Sequence, residues 1–347
     1  MTAGASESGT GAAKGGIDVS ITVDVEFSLG GTFRPGGGRP LADERVQCSV
    51  DGRAWGLPHL MEVLAAHGLK ATFFVETLHV LHFGDLPMGG FVERIVKAGH
   101  DVQLHLHPQW LVFQNPNWRE WPPGTPLLDN CDGRSEAELC DWIGAGVEAF
   151  RRWGASAPIA LRTGGLRTDR TVYRSMAKMG IPLASNLGWG LFEPTDESLR
   201  IAAGRTWIEG VLEVPVVTYR QISAGFLKPL RVCAITSTSR KEQRWLLERA
   251  VRDGVSPFVI LTHPFEFARF FGQPEPCAPN HVNASRFEAL CRRLTDHPQT
   301  FRNVTFAGGL AEWTRLPPAR FPPMRAPAFA TAVRLAENNL NDLRLWN

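Results

Sequence analysis

Short apolar runs alternate with amphipathic segments from residue 18 to about residue 315, and this alternation narrows the choice of fold more than any other feature. VSITVDVEF (19–27), ATFFV (71–75), VQLHLH (102–107), PIALR (158–162), PLAS (182–185) and FVILT (258–262) read as strands. Helical spacing fills 57–67, 91–98, 135–153, 170–179, 240–251 and 285–294, and Ser135 with Glu138 makes a capping-box pattern. Such strand–helix repeats give a largely parallel sheet covered by helices. Seven or eight units in one stretch favour a barrel or distorted (β/α) barrel over an open doubly wound sheet. Within 207–236 the pattern changes, and VLEVPVVTY and LRVCAIT are expected as paired strands joined by a Gly/Pro-containing loop. A last strand is expected at 301–306. The expected organisation is a flexible leader (1–17), one α/β barrel domain (18–316) and a Pro-rich surface arm (317–347).

Composition removes several classes of function. A hydrophobic fraction of 44% and a charged fraction of 21% belong to a globular chain. The net charge of +2 gives no support for nucleic acid or a membrane surface as partner. No apolar run approaches the ~18 residues of a membrane span. The first 17 residues lack an apolar h-region, and the six cysteines show no CxxC spacing, so reduced thiols and a cytoplasmic location are expected. No GxGxxG follows a strand, and PGGGRP (35–40) lacks the Walker lysine.

Parallel α/β folds bind ligands at the carboxyl ends of their strands, and reactive side chains recur there. His105 and His107 lie two residues apart on a strand and point to one face, where two imidazoles can chelate a divalent ion. Asp24 and Glu26 repeat that spacing inside an apolar run, where buried carboxylates need a partner or a cation. Arg162, in LRTGGL, can hold a carboxylate by a bidentate contact. His263, in LTHPFEF, is a candidate general acid. The long interval 108–134 carries Trp110, Trp118 and Trp121, which either cap a sugar site or pack the loop onto the barrel.

In this order the segments TVDVE (22–26), ATFFV (71–75), GHDVQLHLHP (99–108), LRTGG (161–165) and LTH (261–263) resemble the NodB-homology polysaccharide deacetylases. The resemblance spans roughly residues 18–310. It implies a distorted (β/α) barrel, a divalent metal such as Zn2+, and hydrolysis of acyl groups on sugars. It further implies that Asp24 is the catalytic base, His105 a metal ligand, Arg162 the residue orienting the base and His263 the general acid. Val25 stands where the family has its second, metal-binding Asp, which makes Glu26 the candidate ligand, with Asp24 as the alternative. His-x-His replaces His-x-x-x-His, so His107 is the second histidine ligand by geometry alone.

The resulting expectation is a metal-dependent hydrolase of an N-acetyl or other acyl group on a sugar or oligosaccharide. A cyclic imide or ureide hydrolase on the same barrel and a non-catalytic sugar-binding relative remain open, as does oligomer formation.

Overall fold

The computed structural model describes residues 15–222, 229–271 and 275–343. Most of the expected leader and the loop expected between the paired strands lie outside the described residues. Parallel strands β1 (Ile17–Val25), β2 (Thr72–Glu76), β3 (Asp101–Leu106), β4 (Ala160–Thr163) and β5 (Leu183–Ala184) pair in chain order. The antiparallel pair β6 (Ala203–Ile208) and β7 (Val211–Glu213) follows, with β7 parallel to β5. β8 (Phe258–Thr262) returns to the other side of β1. Each central strand is a run of buried residues, as a sheet covered on both faces requires.

The sheet then curls until its two sides meet. Beyond β7, the Val214 N–H donates to the Ala184 carbonyl at 2.8 Å, and the Val217 N–H donates to the Val259 carbonyl at 3.1 Å. Val216 and Ala234 form single parallel bridges to β8 at Val259 and Leu261. The result is a distorted barrel closed by single bridges rather than by a full strand.

Helices α1 (Leu57–Ala66), α2 (Leu86–Lys97), α3 (Glu136–Arg152), α4 (Arg170–Lys178), α5 (Arg240–Asp253) and α6 (His281–Asp296) cover the outside. The Ser135 capping box forms as expected, and Ser239 with Glu242 makes a second one. Among the described residues, no helix is long and apolar enough to cross a membrane.

Three regions depart from the expected elements. VLEVPVVTY does not pair as a whole with LRVCAIT. Its first half joins β6, and only Thr218–Arg220 pairs with Leu230–Val232. The expected strand at 301–306 stops at Asn303, and helix α7 (Phe306–Trp313) begins behind the N-cap Thr305. Residues 317–343 add Ala319–Phe321 antiparallel to β6 and end in helix α8 (Ala328–Leu343). Arg334 of α8 is buried and pairs with Glu242 at 2.8 Å, so this segment is anchored by an internal ion pair. Breaking such a pair costs about 3–5 kcal/mol.

Candidate active site

The carboxyl ends of β1, β3, β4 and β8 converge, and with them the side chains that the sequence singled out. Asp24 is the next-to-last residue of β1 and Glu26 follows its end; His105 lies in β3 and His107 follows it; Arg162 lies in β4 and His263 follows β8. Because side chains alternate along a strand, the two-residue spacings send each pair to one face.

Arg162 has no exposed surface, and its donors are divided between β1 and the residue that follows β5. Nη1 donates to Asp24 Oδ1 at 2.6 Å and to Thr22 Oγ1 at 3.0 Å. Nη2 donates to Ser185 Oγ at 2.8 Å and Nε to the Ser185 carbonyl at 3.2 Å. The contact with Asp24 is therefore single-pronged, not the bidentate one expected. The guanidinium also lies 4.2 Å from the centre of the Phe74 ring, which closes it off from below. Buried Glu213 supports this arrangement. It accepts the N–H groups of Asn186 and Leu187 at 3.1 Å and the Tyr173 hydroxyl at 3.0 Å, fixing the turn that carries Ser185. Burial, the dominant influence, pushes the Glu213 carboxyl up to about 7.

The histidines are oriented from behind. His105 Nδ1 lies 2.8 Å from the Arg162 carbonyl, which can only accept, so Nδ1 carries a proton and Nε2 is turned toward the cluster. That Nε2 is 3.5 Å from Glu26 Oε2 and 3.9 Å from Asp24 Oδ2. His107 lies between two carboxylates, with Nδ1 2.7 Å from Asp129 Oδ2 and Nε2 2.7 Å from Glu26 Oε2. The His107 ring rests directly on Gly164, where an added Cβ would lie 2.5 Å from Nδ1. The glycine of LRTGG is thus required by close approach.

Ligand atoms of Glu26, His105 and His107 all lie within 4.8 Å of one another. The electrostatics fit a cation. Burial disfavours charge on Glu26, yet His107, His105 and His263 outweigh it and hold the carboxyl well below its usual range. Burial also opposes charge on His107, but Glu26 and Asp129 raise it well above the ordinary histidine value. In the ion-free protein the imidazolium of His107 therefore supplies the positive charge that the two carboxylates need. A divalent ion can replace its Nε2 proton while Nδ1–H goes on donating to Asp129, the usual carboxylate–histidine–metal arrangement. His263 Nε2 is 3.9 Å from Asp24 Oδ2, and its Nδ1 is 2.9 Å from Glu266 Oε1. Burial lowers the pKa of His263, but Glu266, Glu26 and Asp24 together raise it to about 9.

Asp129 and Glu266 were not singled out in the sequence. Asp129 lies in the long loop after β3, where no periodicity marks it. Glu266 stands three residues after His263, a single-turn spacing that carried a usable signal. Of the loop tryptophans, Trp110 is fully buried against Phe83 and Phe113, so it packs the loop and is withdrawn from any ligand. Trp118 and Trp121 pack around Phe33.

The sequence matches no protein-family model and no curated protein. In structure the chain is similar to a protein from Mycobacterium smegmatis assigned as a polysaccharide deacetylase. That match has 16% identity and a TM-score of 0.51, and covers 89% of this chain and 95% of the other. It is also similar to a family 4 carbohydrate esterase from Streptomyces lividans in complex with acetate (12% identity, TM-score 0.42, covering 89% and 99%). A CE4 family pseudoenzyme from Bacillus anthracis matches at 13% identity and TM-score 0.43, covering 84% of this chain and 64% of its own. At these identities the likeness concerns the fold: this chain has the distorted α/β barrel of the polysaccharide-deacetylase type.

Proposed function

We propose that the chain is a metal-dependent hydrolase that removes an N-acetyl or related acyl group from a sugar or oligosaccharide. The observation that carries this reading is the sharing of one end of the barrel by two sets of groups. Donor atoms of Glu26, His105 and His107 lie within 4.8 Å of one another, and Asp24 and His263 stand beside them with separate partners behind them. Glu26, His105 and His107 would hold the ion, and a bound divalent metal supplies Lewis-acid polarisation and a more acidic water.

The protein's own groups divide the remaining work. Asp24, anchored through Oδ1 by Arg162, presents Oδ2 toward the cluster and accepts the proton of the attacking water. Glu26 rather than Asp24 is the better ligand, because Asp24 is already engaged by Arg162 while Glu26 meets both histidines. His263, kept protonated by Glu266, gives its Nε2 proton to the departing amine nitrogen. Arg162 and Ser185 keep Asp24 from turning away. The expected metal is zinc, bound by nitrogen and oxygen ligands. Residues 18–316 are proposed as the catalytic barrel, with the segment after 317 bracing it.

The test is metal analysis of the purified protein combined with acetate-release assays on N-acetylated sugars and oligosaccharides beside a cyclic imide. Stoichiometric metal and acetate release support the reading. Turnover of the imide alone would transfer the same site to imide hydrolysis, and absence of both metal and turnover would leave only a sugar-binding role.

A further inference from the structure

Near the cluster lies a cation that forms no ion pair among the described residues. Arg45 belongs to the single helical turn Asp43–Val46, between β1 and α1. Its guanidinium carbon lies 3.9 Å from the centre of the Phe265 ring and 4.8 Å from that of Phe270. Phe265 also stacks on His263, with ring centres 4.8 Å apart and planes inclined by 30°. A single aromatic ring therefore links the guanidinium to the proposed acid. The turn is fastened to the same segment, with Cys48 Sγ 3.8 Å from the Pro264 carbonyl.

Several arginines near the surface of this protein meet a carboxylate. Arg152 meets Asp85, Arg167 meets Asp132 and Arg170 meets Asp196, each at 2.8 Å or less. Arg45 does not. Its Nε is buried with no hydrogen-bond partner, and among the described residues no carboxylate pairs with it. Burial, the largest influence, lowers its pKa, and Glu26 is within electrostatic reach to oppose that. Stacking on two phenylalanines is a weak interaction and does not by itself account for a partly buried cation held beside a reactive cluster.

We propose that Arg45 recognises an oxyanion, a carboxylate or a phosphate, carried by the acylated sugar. The proposal rests on the sugar-deacylase reading and narrows its substrate class to acidic sugars. Guanidinium binds either group through two parallel N–H···O contacts, and its stacking on Phe265 and Phe270 holds the plane in one orientation. Because one ring separates Arg45 from His263, the charged group belongs on the acylated sugar itself or is directly attached to it.

Titration calorimetry on the metal-loaded full-length protein tests this with three probes: N-acetylglucosamine, its 1-phosphate, and N-acetylglucosaminuronic acid. The expected result is that one of the two acids binds at least about tenfold more tightly than the neutral sugar, and which acid does so identifies the source of the oxyanion. Arg45→Met should erase that preference. Arg45→Lys, which keeps the charge but loses the planar fork, should keep part of it and guards against a variant that fails to fold. Equal affinity for all three probes in the wild type, no binding of any, or an undiminished preference in both variants overturns the proposal. Acetate release is scored separately. Its absence from every probe counts against the deacylase reading, whereas release without any preference for acids sinks the role of Arg45 alone.

Discussion

The two ends of the barrel contain the same kinds of residue and use them differently. At the amino-terminal end, Asp18 accepts the Trp313 Nε1–H at 2.7 Å and pairs with Arg302 at 2.6 Å. Asp101 accepts Thr72 Oγ1 at 2.9 Å, Gln103 Nε2 at 2.6 Å and the Ala307 N–H at 3.0 Å. A cavity of about 670 Å³ opens there, lined by Lys70, Asp101, Gln103, Asn303 and Ala307 among others. At the carboxyl-terminal end, Asp24, Glu26, His105, His107 and His263 converge without such saturation. His105 Nε2 has no donor to meet, and the carboxylates face imidazoles rather than amides. A roomy cavity with a half-buried acid is therefore not enough to mark a site. What distinguishes the other end is carboxylates and imidazoles, fixed from behind, that face one another across a gap a cation can share.

Substitutions at the two ends should separate these roles. Asp24→Asn is expected to lower kcat by about a thousandfold or more, by removing the proton acceptor, while bound metal measured by elemental analysis stays stoichiometric. Asp101→Asn should leave kcat within about twofold and instead lower stability by about 1–3 kcal/mol, read from chemical denaturation. Equal losses of activity from both substitutions would erase the distinction between the ends.

Asp129→Asn gives the next largest effect. Carboxylates behind metal-binding histidines typically contribute 10–100-fold in affinity, and Asp129 is the residue that holds His107 Nδ1. Metal-buffered titration should show a loss in that range, with kcat at saturating metal changed much less. A linked measurement uses protons. His107 is raised well above its ordinary value when no ion is present, so binding at neutral pH displaces about one proton from it. Apparent affinity should then rise about tenfold per pH unit up to that pKa, and calorimetry in buffers of different ionisation enthalpy counts the proton directly.

Legibility in the sequence follows the same division. Four side chains of the cluster could be named in advance because strands enforce a period of two, so that acids or histidines two residues apart share a face, and Arg162 and His263 because each stands at the carboxyl end of an apolar strand. Asp129 obeys no such rule. It reaches His107 through a loop whose path depends on Trp110 and Phe113 packing, which spacing does not encode. The barrel itself was visible in the alternation of buried strands with helices. β6 was hidden because AGRTWI holds a glycine at φ 96° and two polar side chains in a six-residue strand. Gly204 is required there, since a Cβ would meet the Ala319 carbonyl at 2.0 Å. Helix α7 was hidden by its own glycine pair, Gly308–Gly309, and Gly309 is needed where Trp313 packs within 2.3 Å of where a Cβ would be. In each case tertiary contact, not local preference, decided the element.

The smallest expected effect concerns how His263 is kept protonated. Its folded pKa of about 9 exceeds the unfolded histidine value near 6.5. The charged pair with Glu266 therefore contributes stability that is complete below pH ~6.5 and is lost as pH rises through about 9. On the proposed mechanism the same charge should set the alkaline limb of activity, because only protonated His263 could supply the leaving amine with a proton. Glu266→Gln keeps an acceptor for His263 Nδ1, with the amide N–H left to donate to Thr262 Oγ1, but removes the negative charge. The alkaline limb of kcat should move to lower pH by about one unit, with activity at pH 6 nearly unchanged and activity at pH 8.5 reduced several-fold. A pH–rate profile in which the limb stays in place, or moves upward, would mean that Glu266 belongs with Asp18 and Asp101 as a purely structural carboxylate.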